Sequence, residues 1–164
     1  MNLMYTPEGE KLRDEVLKNP NFIPLDEYPR PTLVRKNPYI ILNGFWDFAC
    51  NEGHDSAEYT EKILVPFPPE SKASGVMRSI SREAILAYSR TFTLRHPGKD
   101  HRVILHFGAV DWECTVYVNG KEVGSHIGGY CPFTLDITGA VKEGENELVV
   151  KVYDPTDEGW QNRG

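Results

Sequence analysis

The sequence predicts an all-β protein, an antiparallel β-sandwich, on three observations. Apolar residues recur with period two from Leu42 onward, Gly, Asn and Asp punctuate the runs, and no helical period separates them. The composition agrees. Hydrophobic residues make up 40% of the 164 and aromatics 11%, with 14 glycines and 12 prolines, which suits short strands joined by many turns.

Residues 1–27 stand apart as an N-terminal arm. Within it, residues 8–18 predict a short helix with Leu12, Val16 and Leu17 on one side, stopped by Pro20 and Pro24. Pro29, Pro31 and Pro38 then forbid helix and hold their neighbours extended, so this stretch is expected to lie along the surface. Residues 28–164 read as one domain. FWDFAC (45–50) opens after the turn pair Asn43-Gly44, and KILVPF (62–67) is a short apolar run. Tyr88, Arg90, Phe92 and Leu94 alternate with Ser89, Thr91 and Thr93. HRVILHF (101–107) is nearly all apolar and reads as a central strand. WECTVYV, KEVGSH, PFTLDI and NELVVKVY follow with little between them, and Leu148, Val150 and Val152 share one face of the last.

Asn119-Gly120 predicts a two-residue hairpin, because both central residues need positive φ and this pair tolerates it best. Pairing outward sets Val118 against Lys121, Tyr117 against Glu122 and Val116 against Val123, the last pair on a buried face. Residues 66–87 have no clean period. Loops of that length are often functional or disordered, and REAILA (82–87) is expected to add a helical turn.

The net charge of −6 and the lack of a basic stripe exclude nucleic acid and anionic membranes as partners. The N-terminus lacks a signal peptide's basic start and apolar run, which makes a cytoplasmic location the expectation. Cys50, Cys114 and Cys131 are odd in number and lack CxxC spacing, so reduced core thiols are expected rather than disulfides or zinc. His54, His96, His101, His106 and His126 show no metal spacing, and neither a metal nor a cofactor is expected.

Trp112, Tyr117 and Tyr130 are the side chains that stack on a pyranose ring, but the hairpin pattern already accounts for them, so they are expected to fill the sandwich and seal its ends. Gly128-Gly129 reads as a turn needing positive φ. His126 is expected at a surface or turn, and His106 as a hydrogen-bonded, partly buried strand residue. Asp111 and Glu113, two apart, read as solvated charge on one side of a strand. No GxSxG, HExxH or phosphate-cradling glycine loop is present, so no catalytic residue is assigned.

One ordered series of motifs resembles the N-terminal domain of family 2 glycoside hydrolases, the group with β-galactosidases and β-glucuronidases. It runs from YPRPTLVR through LNGFWDF, VPFPPES and YSRTFTL to HFGAVDWECTVYVNGKEVGSHIGGYCPFTLDIT and GENELVVKVYDPTD. Ser89 departs from the family's usual Trp-Tyr-Arg-Arg-like run. The resemblance implies a jelly-roll, galactose-binding-like sandwich that is itself non-catalytic. In such enzymes a separate (β/α)8 barrel carries two glutamates in a retaining mechanism, and a barrel of about 250 residues exceeds this chain. The resemblance also implies that the roll lacks its last strand here, with an open sheet edge as the consequence. It further implies that the loop after the final strand reaches the sugar, which makes Asp157, Gln161, Asn162 and Arg163 the candidate substrate contacts. The expected partners are a β-galactoside-like carbohydrate in the full enzyme, the remaining domains of the same polypeptide, and other copies of the chain in a homo-oligomer. A stand-alone carbohydrate-binding module and a purely structural sandwich are the alternatives.

Overall fold

The computed structural model describes residues 7–25, 39–52, 58–95 and 100–155. The expected extended arm and the four candidate contacts Asp157, Gln161, Asn162 and Arg163 lie outside the described residues. The chain divides into two compact bodies, Met1–Trp46 with Glu61–Ser79, and Asp47–Thr60 with Ile80–Gly164.

The first body contains helix α1 (Pro7–Leu17), close to its expected place. It also holds the start of strand β1 (Gly44–Glu52) and all of β2 (Glu61–Val65). Trp46, Ile63 and Leu64 are buried, and the Trp46 indole Nε1 donates to Leu42 O at 2.8 Å, so the ring's polar edge is satisfied. The aperiodic stretch after β2 is built on a hydroxyl rather than on apolar spacing. Ser74 is wholly buried. Its Oγ donates to Ser71 O at 2.7 Å and accepts from Val76 N at 3.1 Å, closing a 3-10 turn over Lys72–Ser74. Such a segment carries no apolar period. REAILA does not form the expected helical turn, because strand β3 (Ala84–Leu94) begins inside it and its ladder partners outweigh local propensity.

The second body is an antiparallel sandwich. Its remaining strands are β4 (Ile104–Phe107), β5 (Glu113–Val118), β6 (Lys121–Ile127), β7 (Phe133–Asp136) and β8 (Gly144–Tyr153). Within this body the larger sheet runs β1-β3-β8-β5-β6, and β4 pairs with β7 in the other. HRVILHF is therefore not a central strand. Leu105 is buried, whereas Ile104 and His106 are exposed, because a strand of the two-stranded layer has one face toward the core and one toward water. The predicted partial burial of His106 fails for the same reason.

The core side of the larger sheet carries Phe48, Leu86, Cys114, Val116, Val118, Leu148, Val150 and Val152, all buried. Burying an aliphatic side chain of this size contributes roughly 1.5–3 kcal/mol. This stripe therefore outweighs any single turn. Of the three expected core thiols only Cys114 is in the core; Cys50 is half-buried and Cys131 exposed.

The hairpin forms at Asn119-Gly120, with φ of 51° and 76°. Val118 pairs with Lys121 and Tyr117 with Glu122 as expected, but Val116 pairs with Gly124 and not Val123, because a bulge shifts the register between Val116 and Tyr117. A residue larger than glycine opposite Val116 would have to displace the Leu135 side chain. A Cβ on Gly124 would come within 2.7 Å of Leu135 Cδ2 from β7.

Two polar clusters lock the connections. Asn146, 1% exposed, accepts from Lys142 N and from Asn119 Nδ2, both at 2.8 Å. It donates to Lys142 O at 2.8 Å and Gly144 O at 3.0 Å. At the end of β7, Asp136 Oδ1 accepts from Thr138 Oγ1 at 2.5 Å and Thr138 N at 3.0 Å, and Arg102 Nε donates to its Oδ2 at 2.8 Å. These bonds hold the Asp136 carboxyl down at about 2, with the Thr138 side chain as the leading cause. Among the described residues no helix is long and apolar enough to cross a membrane.

Candidate functional site

The end of the larger sheet where β5 begins and β6 and β8 finish gathers the groups suited to a sugar. Glu113, the first residue of β5, pairs with Ile127 on one side and Tyr153 on the other. Asp111 and Trp112 therefore enter this end of the sheet while Gly128–Tyr130 and Asp154 leave it. The Asp111–Trp112 peptide is cis. Gly128 N donates to Trp112 O at 2.8 Å, which ties the two segments together.

Both glycines are required, for different reasons. Gly128 has φ of 122°, as the turn reading anticipated. Gly129 is needed for space. A Cβ there would stand 2.2 Å from Asp111 Oδ1, so the carboxylate lies directly over the glycine backbone. Asp111 has its pKa raised, first by burial and second by the negative charge of Asp154. Two acidic groups thus share this end of the sheet, and Asp154 leads into the tail that holds Asp157, Gln161, Asn162 and Arg163.

The aromatics depart from expectation. Trp112 is 36% exposed and Tyr130 65%, so neither fills the sandwich. With Ile127 and Tyr153 they leave apolar surface uncovered at one end of the sheet, a placement associated with recognition surfaces. Hairpin parity could not reveal this, because both lie just outside the paired residues. His126 is neither a surface nor a turn residue. It sits within β6, half-buried, its ring stacked on Phe133 at 4.1 Å between centroids, and Phe133 stacks on Phe107 at 4.7 Å. Asp111 and Glu113 do not act as a strand-borne pair, since Asp111 precedes β5 and is turned to Gly129. Exposed rings can meet the C–H face of a pyranose, and carboxylates can accept from its hydroxyls. Among the described residues no three His, Cys, Asp or Glu side chains are grouped to hold a metal ion.

Comparison with known proteins matches residues 53–162 to the family described as glycosyl hydrolases family 2, sugar binding domain. The chain is 30% identical over 145 residues to a β-glucuronidase of Paenibacillus borealis, covering 82% of this chain and 23% of that protein. It is 30% identical over 109 residues to a β-galactosidase of Priestia megaterium, covering 66% and 10%. Among solved structures it is similar to a β-glucuronidase of an uncultured Clostridium, with a TM-score of 0.56 and 30% identity over 68% of this chain and 21% of that one. A Ruminococcus gnavus β-glucuronidase in complex with D-glucuronic acid gives 0.58 and 25% identity, covering 69% and 21%. The chain thus spans less than a quarter of the length of each of these relatives.

Proposed function

Because this chain belongs to glycosyl hydrolase family 2 as its non-catalytic N-terminal sugar-binding domain, we propose that it serves a retaining β-glycosidase acting on β-glucuronides or β-galactosides. The domain supplies no catalytic carboxylate. It shapes the sugar side of a pocket whose acid/base and nucleophile stand on another domain of the same polypeptide. The observation that carries this reading is the family match across residues 53–162, which takes in the sheet end, with its exposed rings and its Asp111–Asp154 pair, and the tail beyond it.

Asp157, Gln161, Asn162 and Arg163 remain the proposed contacts to sugar hydroxyls, since the tail starts where Asp154 leaves the sheet end. A cytoplasmic location and assembly into homo-oligomers belong to the same proposal. The test is hydrolysis of chromogenic β-D-glucuronide and β-D-galactoside. The chain alone leaves both intact, and a polypeptide joining it to a (β/α)8 barrel cleaves one of them. Cleavage by the chain alone, abolished by replacing one of its own carboxylates, would end the proposal.

A further inference from the structure

The face of β3, β8, β5 and β6 opposite the core side is ordered by register into three rows across the strands: Ile85–Tyr153–Glu113–Ile127, Ala87–Lys151–Thr115–Ser125, and Ser89–Val149–Tyr117–Glu122. Ala87 and Ser89 are buried, so its open part lies over β8, β5 and β6. A groove of about 270 Å³ runs over the middle of these rows. Its lining includes Ile85, Glu113, Thr115, Tyr117, Lys151 and Tyr153. Tyr117 and Tyr153 stand two rows apart, roughly 13 Å along the strands, with Lys151 and Thr115 between them. The Lys151 ammonium lies 5.5 Å from the centre of the Tyr117 ring.

We propose that this groove is a second saccharide-binding site, running inward from the sheet end and sharing Glu113 and Tyr153 with it, that takes a neutral disaccharide or a longer chain. The proposal rests on the reading that the domain serves carbohydrate chemistry. Its own support is the lining. A pyranose ring presents an apolar C–H face and a rim of hydroxyls that both donate and accept. Two tyrosine rings and Ile85 match the first; the Lys151 donor, the Glu113 acceptor and the Thr115 hydroxyl match the second. Glu122, opposite Tyr117, joins Glu113, so acids outnumber Lys151 in these rows; a uronate loses more to them than it gains from Lys151, and a neutral sugar loses nothing. The volume is just under the roughly 300–1,000 Å³ of enclosed small-molecule pockets. That fits a shallow track for a short chain rather than a deep hole for one ring, and the spacing of the tyrosines leaves room for more than one ring.

The experiment is amide NMR on the 15N-labelled 164-residue chain, titrated separately with cellobiose, lactose and glucuronic acid. The neutral disaccharides should shift the amides of Thr115, Tyr117, Lys151 and Tyr153 and saturate in the millimolar range. Glu113→Gln, which preserves size and exposure, and Tyr117→Ala should each weaken binding about tenfold. The unshifted part of each variant's spectrum reports that the fold is kept. Silence at these amides up to about 100 mM sugar, corresponding to an affinity too weak to use, would overturn the proposal, as would shifts confined to Asp111, Gly129 and Asp154. Tighter binding of glucuronate at the same amides would overturn the choice of a neutral ligand. Glycoside cleavage by a barrel-bearing polypeptide is read independently. A silent groove beside active hydrolysis removes this site and leaves the proposed function standing.

Discussion

Replacing Asn146 tests how the domain ties its last strand to its hairpin. The side chain makes four hydrogen bonds, accepting from Lys142 N and Asn119 Nδ2 and donating to Lys142 O and Gly144 O. A single such bond contributes about 0.5–1.5 kcal/mol net. The neighbouring groups are only partly buried, so water recovers some of the loss. Asn146→Ala should therefore cost about 2–4 kcal/mol and lower Tm by roughly 5–15 °C for a chain of this size. Urea unfolding followed by circular dichroism measures the first and a thermal scan the second. Asn146→Asp separates the two halves of the network. It keeps the acceptors but turns a carboxylate toward two carbonyl oxygens, and should be no more stable than the alanine variant. Asn119→Gly keeps the positive φ of 51° while deleting that residue's side-chain bonds. Combined with Asn146→Ala it should show a coupling of about 0.5–1.5 kcal/mol. A loss below about 1 kcal/mol in the alanine variant, or wild-type stability in the aspartate variant, would refute the reasoning, since either outcome means the four bonds are not what holds the junction.

Two further outcomes follow from the geometry. Gly129→Ala places a methyl group 2.2 Å from Asp111 Oδ1 and should destabilise by about 1–3 kcal/mol, with Asp111→Ala in the same chain recovering part of it; an undisturbed unfolding curve for Gly129→Ala contradicts the close approach. Asp136 is held at about 2 in the folded state against an ordinary 3.8, so its contribution is complete above about pH 4 and fades as pH falls toward 2. Stability profiles of the wild type and Asp136→Asn should lie apart at pH 5 and converge near pH 2; parallel profiles across that interval contradict it.

The strands were legible wherever alternation met an unambiguous turn. Asn119-Gly120 and the Leu148, Val150, Val152 face gave the hairpin and the last strand, because side-chain parity and φ preference both act within a few residues. Position within a layer was not legible. HRVILHF has the apolarity of a central strand and sits in the two-stranded sheet, since apolar content does not report how many neighbours a strand has. Ser74 was invisible because a buried hydroxyl that closes a turn leaves no periodic trace. Within the site, Gly128-Gly129 announced a turn, but the reason for the second glycine was the Asp111 carboxylate, eighteen residues upstream, and a contact across that interval has no local signature. Trp112 and Tyr130 were assigned to the interior because aromatic size argues for burial; they flank the ladder instead of belonging to it.

The irregularity between Val116 and Tyr117 has an effect well beyond the pair it interrupts. Strict alternation from the turn would set Cys114 opposite Ser125 and leave His126 beside Glu113, directed at water. The one-residue offset exchanges odd for even along the rest of β6, so Ser125 and Ile127 go outward and His126 comes inward, opposite Cys114 and onto Phe133. The column of three rings reaching to Phe107 therefore owes its existence to a single supernumerary residue. Closing the ladder with Val123 opposite Val116 would invert that half of the strand and expel the imidazole from between the layers, whereas deleting Val123 would leave Gly124 opposite Val116 and His126 opposite Cys114.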